Sequence, residues 1–186
     1  MRPAPTRARE GTQRLHAILT SLGAAARVEE SIKQAERVNF DLRELIASTV
    51  SAYRGGFPGS TFEQALPEDP CFLRGAPDLI AQLLDKLIEN AVDCCPPTGA
   101  IRIRLARVPG SFALDVANDG PLIAARVLPH LFASLYEHRS GRDDKPHFGL
   151  GLYIVKLIAE FHGGTARAAN REDSGGVVFT VTLPMI

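Results

Sequence analysis

Apolar positions along the chain change their spacing from block to block, and the blocks predict the elements. Leu15, Ile18, Leu22, Ala25, Glu29 and Ile32 recur at steps alternating between three and four, nearly an a/d heptad seam. Ala25 is small and Glu29 charged, so this predicted helix needs a partner; alone it is marginal in water. The run Asn39, Phe40, Asp41, Leu42 breaks the pattern, and we place a boundary at Val38. A shorter helix is predicted over 42–53, stopped at Gly55 and Gly56, followed by short strands over 61–65 and 71–74. The strongest helix spans 77–95, with Leu79, Ile80, Leu83, Leu84, Leu87, Ile88, Ala91 and Val92 on one face. The Pro96, Pro97, Thr98, Gly99 run ends it. Alternation over 101–108 and 112–117 predicts a hairpin around Pro109 and Gly110. Residues 121–147 are irregular, with one short apolar piece at 127–136 and a polar loop bearing Arg139, Arg142 and Lys145. Gly149 and Gly151 then lead into a helix stopped at Gly163 and Gly164, and strands over 165–170 and 177–183 close the chain.

This order predicts an α/β fold: a two-layer sandwich of mixed sheet with helices on one face, preceded by an N-terminal helical arm. A hydrophobic content of 45% in 186 residues supports one packed domain plus an appendage. Zero net charge removes any broad electrostatic reason to expect a nucleic acid as partner. No apolar run approaches the ~20 residues of a membrane span, and there is no signal-peptide core. Three cysteines, two of them adjacent at Cys94 and Cys95, fit a reducing compartment, and the chain reads as cytoplasmic. They lack the C-x-x-C spacing of a metal site. His16 reads as a solvated or packing residue, because nothing around it resembles an acid-flanked acceptor site.

Chemistry concentrates in four places. On the helix at 77–95, Lys86, Glu89, Asn90 and Asp93 fall three and four apart and share one face. Asn is a poor mid-helix residue, and its carbonyl oxygen is a hard ligand suited to Mg²⁺. The turn Asn118, Asp119, Gly120, Pro121 ends a strand. The polar loop follows, and then Gly149, Leu150 and Gly151 open a helix whose first N–H groups suit phosphate oxygens.

In this order the stretches resemble the ATP-binding catalytic domain of sensor histidine kinases, within the group that includes gyrase, chaperone and mismatch-repair ATPases. LLDKLIENAVDCCP (83–96) is similar to that family's N box and VANDGPLI (116–123) to its first glycine box. Residues 131–136 are similar to the F box, and FGLGLYIV (148–155) to the second glycine box. More narrowly, NDGP with LGLYIVKLIAEFHGG is similar to proteobacterial sensor kinases of the dedicated sortase type. The resemblance implies a catalytic ATP-binding domain over 39–186, and over 1–38 the second helix of a dimerisation hairpin.

The same resemblance implies ATP and Mg²⁺ as cofactors, with Asn90 as the Mg²⁺ ligand. Asn118 stands where an aspartate usually accepts from the adenine amino group, and Gly120 lets the backbone approach the base. Gly149, Leu150 and Gly151 would meet the phosphates, with Leu152, Phe148, Tyr136 and the lid residue Arg139 also at the nucleotide. Three positions depart from the pattern. Leu122 replaces a glycine, Lys86 sits where asparagine is common, and Asp93 where lysine is common. The last two imply that Lys86 attracts the phosphates while Asp93 orients it or a lid arginine. The γ-phosphoryl group would pass to a histidine on a dimerisation helix of a second subunit, and from there to a response regulator. That acceptor helix is not in this sequence, so the chain is expected to be a fragment of a membrane-anchored sensor that does not phosphorylate itself. Alternatives are a serine kinase of the anti-sigma type, which the seam disfavours, and a non-catalytic nucleotide-sensing or dimerisation module.

Overall fold

The computed structural model describes residues 23, 26–133, 150–172 and 175–185. Its order is β1 (Val38–Asp41), α1 (Leu42–Gly56), β2 (Thr61–Ala65), β3 (Phe72–Gly75), α2 (Pro77–Cys94), β4 (Ala100–Val108), β5 (Ser111–Asn118), α3 (Leu150–Phe161), β6 (Thr165–Asn170) and β7 (Val177–Pro184). Among the described residues between β5 and α3, Leu128–His130 forms a 3-10 turn.

Alternation along three central strands makes the core face of the sheet. Ile101, Ile103 and Leu105 of β4 stand opposite Asn118, Val116 and Leu114 of β5, which in turn face Val177, Phe179 and Val181 of β7. All nine are buried. The intervening positions, among them Arg102, Arg104, Asp115 and Thr180, lie on the opposite face, because successive strand residues point to opposite sides. There Arg104 Nη2 donates to Asp115 Oδ2 at 2.7 Å, and Thr180 Oγ1 to Asp115 Oδ1 at 2.7 Å. The strand order is β2-β4-β5-β7-β6, with β2 parallel to β4 and the remaining pairs antiparallel. The sheet is therefore mixed, as expected, and α1, α2 and α3 cover one face of it.

Packing, rather than helix preference, holds α2. Leu79, Ile80, Leu83, Leu84, Leu87 and Ile88 are all buried, and each stabilises the fold by about 1.5–3 kcal/mol relative to exposure. The helix preference lost at Asn90 is under about 1 kcal/mol, so the helix tolerates it.

The structure differs from the sequence reading at two places. Residues 39–42 read as a break, yet Val38–Asp41 is a strand, antiparallel to β3 in a separate two-stranded sheet. Asp41 then ends the strand and starts α1, accepting at Oδ1 from the N–H groups of Arg43 and Cys71, both at 2.9 Å. In the arm, helical over 26–34, the inward position belongs to Val28 and not to Glu29. The charge stays in water and the valine packs with Leu42, Ile46 and their neighbours in the core. Leu15, His16, Ile18, Leu22 and Ala25 lie outside the described residues. Among the described residues no helix is long and apolar enough to cross a membrane.

Candidate functional site

Every residue of the predicted polar face on α2 does lie away from the core. Lys86 and Asn90 are half-buried, Glu89 and Asp93 exposed. Lys86 Nζ meets Glu89 Oε2 at 2.7 Å, so the ammonium has an acidic neighbour one turn on. Tyr53 joins α1 to the preceding position of this helix through a hydrogen bond with the Asp85 carboxylate. Burial, the charges of Asp85 and Glu89, and that bond all push its phenol above the ordinary range.

The start of α3 lies beside this face. Leu150 and Leu152 are buried and Gly151 between them is half-exposed, so Leu150 can offer a ligand only its backbone. A Cβ built on Gly151 would stand 3.8 Å from Lys86 Cδ. The first-turn N–H groups of α3, the lysine stem and, one turn along α2, Asn90 are thus grouped at one place.

At the end of β5 the structure separates two neighbours that the sequence placed together. Asn118 is 1% exposed and belongs to the helix-covered face of the sheet. Its Nδ2 donates to the Asp119 carbonyl at 3.0 Å, and its Oδ1 accepts no hydrogen bond among the described residues. Asp119 lies on the other side. Its Oδ1 accepts from Arg102 Nη1 at 2.6 Å and Arg171 Nη1 at 2.9 Å, and its Oδ2 from the Ala100 N–H at 2.9 Å. The Arg102 hydrogen bond, followed by the Ala100 N–H, holds this carboxyl below the usual carboxylate range. Asp119 is therefore committed to the far face of the sheet, while Asn118 Oδ1 on the helix-covered face keeps its acceptor capacity among the described residues.

Gly120 brings this turn against α2. Its φ is +152°, and a Cβ would stand 2.7 Å from the carbonyl oxygen of Cys94, the last residue of α2. Neither the angle nor the space admits another residue. Just beyond, Leu122 is 59% exposed, so the larger side chain displaces nothing. Ile123 is pinned at both backbone groups by the Asn170 amide, at 2.8 and 2.7 Å.

The face of α2 from Lys86 to Cys94 is about 12 Å long at 1.5 Å per residue. It joins the Gly151 end to the Asn118–Gly120 end, and so brings Lys86, Asn90, Gly151, Asn118 and Gly120 to one side of the molecule. Tyr136, Arg139, Arg142, Lys145, Phe148 and Gly149 lie outside the described residues. The sequence named Asp119 in its turn but did not reveal its pairing with Arg102 and Arg171. The alternation of arginines with aliphatic residues along β4 was the available signal, because it marks which side of the sheet carries charge.

Residues 75–186 match the family model described as histidine kinase-, DNA gyrase B- and HSP90-like ATPase. Sensor protein DivL of Caulobacter vibrioides is 36% identical over 126 residues, covering 68% of this chain and 16% of its own length. Sensor histidine kinase TrcS of Mycobacterium tuberculosis is 29% identical over 179 residues, covering 94% of this chain and 35% of its own length. The chain thus spans about a third or less of these relatives. Among solved structures, the catalytic domain of histidine kinase ThkA superposes with a TM-score of 0.70 at 26% identity, over 80% of this chain and 95% of that one. ThkA has also been solved in complex with the response regulator protein TrrA. The matched span holds both ends of the α2 face and the whole sheet except β2, and the chain belongs to the histidine kinase-, DNA gyrase B- and HSP90-like ATPase family.

Proposed function

We propose that this chain is the ATP-binding catalytic region of a sensor histidine kinase and that it binds ATP with Mg²⁺ along the polar face of α2. One observation carries the reading. A buried amide with a free acceptor, Asn118, stands beside the glycine turn at Gly120 at one end of that face. A glycine at a helix start stands against a lysine at the other.

The base belongs at the β5 end, where Asn118 Oδ1 accepts from the adenine amino group and the Gly120 backbone, seated against the end of α2, approaches the ring. The phosphates belong at the α3 end, among the Gly149, Leu150 and Gly151 backbone and the Lys86 ammonium. Asp93 orients Lys86 or a lid arginine, and Tyr136, Arg139, Phe148 and Leu152 belong to the nucleotide site by resemblance. Among the described residues there is no group of three or more His, Cys, Asp or Glu side chains that could cage a metal. One hard oxygen from Asn90 fits Mg²⁺ all the same, since this ion usually keeps several waters and takes its other ligands from phosphates. When bound, Mg²⁺ neutralises charge on the phosphates. The chain's own contribution to phosphoryl transfer is then positioning and charge stabilisation, with the γ-phosphoryl group aimed at a histidine on a dimerisation helix of a second subunit. A response regulator, as in the ThkA complex, would receive the group afterwards.

Calorimetry with a non-hydrolysable ATP analogue, with and without Mg²⁺, tests this. Saturable binding that tightens with Mg²⁺ is expected. No heat in either condition, with the chain folded, would overturn the reading.

A further inference from the structure

We infer that Asp119 is a positioning residue for base recognition: from the far side of the sheet it fixes the turn that presents Asn118 Oδ1 and the Gly120 backbone to the nucleotide. The inference rests on the nucleotide-site reading above and adds to it what holds the base-reading group in place.

Adjacent residues at a strand end point to opposite faces, so Asn118 and Asp119 cannot both look at one ligand. Asp119 is committed to the other face by four bonds. Its N–H donates to the Ala100 carbonyl at 3.1 Å, and its carboxylate takes the Ala100 N–H and both arginines. Arg102 is itself held by Glu63 Oε2, which accepts from its Nε at 2.9 Å. One chain of charges, Glu63, Arg102, Asp119 and Arg171, therefore ties β2, β4, the end of β5 and the segment after β6 into a single clamp.

The clamp reaches Asn118 by two routes. The first is the amide itself: Nδ2 donates to the carbonyl of Asp119, so the direction of that carbonyl decides which amide atom is left for the ligand. As it stands, the free atom is Oδ1, an acceptor. The second is Gly176, whose carbonyl accepts the Arg171 N–H at 3.0 Å and whose Cα lies so close to the Asn118–Asp119 backbone that a Cβ would stand 2.0 Å from the Asn118 main-chain carbonyl oxygen. Arg171 thus presses the last turn onto Asn118 while its guanidinium holds Asp119.

Releasing Asp119 frees its peptide to turn, and the Asn118 amide then rotates without preference. An amide presenting Oδ1 selects a purine with an exocyclic amino group at that place. One that presents either atom accepts a carbonyl there equally well. Asp119 therefore contributes to discrimination between adenine and guanine nucleotides without touching either.

The test is competition for a fluorescent ATP analogue by ATP, GTP and tripolyphosphate, on the parent chain and on Asp119→Asn and Arg171→Gln. The parent should prefer ATP. In Asp119→Asn, ATP affinity should fall about tenfold, a loss of 1.4 kcal/mol. GTP should change little, so the ATP/GTP ratio moves towards one, and tripolyphosphate should bind as before. Arg171→Gln, which leaves the carboxylate and Arg102 in place, should shift the ratio in the same direction by less, and it carries the test if Asp119→Asn does not fold. Equal loss for all three competitors, or an unchanged ATP/GTP ratio, would overturn the inference. A folded parent that binds no adenine nucleotide would instead overturn the nucleotide-site reading.

Discussion

The imidazole of His162 occupies the space that any side chain on Gly75 would need: a Cβ there would stand 2.5 Å from its Cδ2 and 2.7 Å from its Nε2. This closeness has a purpose in the hydrogen bonding. Ala76 precedes α2 with no side-chain cap, and its N–H donates to His162 Nε2 at 3.0 Å. His162 Nδ1 lies 2.7 Å from the carbonyl of Ile158, so the ring is neutral with its proton on Nδ1. One ring thereby joins the end of α3 to the beginning of α2, the two helices whose other ends form the candidate site. Arg37 extends the join towards the arm. It lies 4.5 Å over the Phe161 ring and donates to the Phe161 carbonyl, and Phe161 meets His162 edge to face at 4.9 Å.

Gly75→Ala should destabilise the chain by about 1–3 kcal/mol, the scale of an extra methyl group forced into a filled interior. The ring can retreat only by giving up the Ala76 N–H, and an orphaned buried donor costs a similar amount. Urea unfolding is the measurement. A change below about 0.5 kcal/mol, the size of an ordinary surface substitution, would show that the ring moves freely.

The same ring makes stability depend on pH. Burial holds His162 below its ordinary pKa of 6.5, with the Arg37 charge adding to the effect and the Ile158 hydrogen bond opposing it. The folded state therefore resists protonation that the unfolded state accepts. Above pH 6.5 both states are neutral and the full stability is present. As pH falls below that value stability is lost, until the folded-state pKa is passed. Replacing His162 with Gln should remove this dependence between pH 7 and 5 while lowering stability throughout. A parent chain with flat stability over that interval would contradict the assignment of a neutral ring.

Asn90→Ala should weaken nucleotide binding by about 1–3 kcal/mol when Mg²⁺ is present, the scale of leaving a charged partner unsatisfied. Without Mg²⁺ the two proteins should bind alike. Calorimetric titrations in magnesium and in chelator separate the cases, and equal curves in magnesium would remove Asn90 from the metal.

Much of this architecture was legible before the fold was known, and the reason is period. α2 carries its aliphatic residues three and four apart for about four turns, and β4 alternates Ile101, Arg102, Ile103, Arg104, Leu105, so each declares its buried side. β1 did not, because four residues hold too little periodicity and its partner β3 lies some thirty positions away. Val28 was hidden by the regularity of the seam itself, which passes through Glu29 as readily. At the site, Asn90, Asn118, Gly120 and Gly151 could be named from residue type and order. That Asp119 turns its back on Asn118 depends on pairings with Arg102 and Arg171 that no spacing encodes, whereas the Lys86–Glu89 contact follows from their i, i+3 places on α2.

Lys86 itself supplies the next test. Its side chain is 32% exposed and that of Glu89 50%, so the pair contributes only about 0–1 kcal/mol to stability. A contact from the ammonium to a phosphate would be stronger, because both groups are charged and partly withdrawn from water. Lys86→Ala should therefore weaken ATP binding well beyond any change in the nucleotide-free melting temperature. Glu89→Gln frees the ammonium and should leave ATP affinity unchanged or improved. If Lys86→Ala keeps full affinity, the lysine is only half of a surface ion pair.

Asn118→Asp places a carboxylate where the amide now is, and two effects oppose each other. Without ligand the substitution is unfavourable. The position is 1% exposed, the donor to the Asp119 carbonyl is lost, and Arg102 and Arg171 are occupied on the other face of the sheet. A buried group left without its bond costs about 1–3 kcal/mol, so the nucleotide-free melting temperature should fall. With an adenine nucleotide bound, the amino group finds a charged acceptor in place of a neutral one, and such bonds are roughly twice as strong. A gain near 1 kcal/mol, about fivefold in Kd, should follow. It should grow as pH rises through the carboxyl's own titration, which desolvation moves upward. The two observables must therefore move apart: less stable alone, tighter with ATP. A variant that loses stability and affinity together would place the base somewhere other than against residue 118.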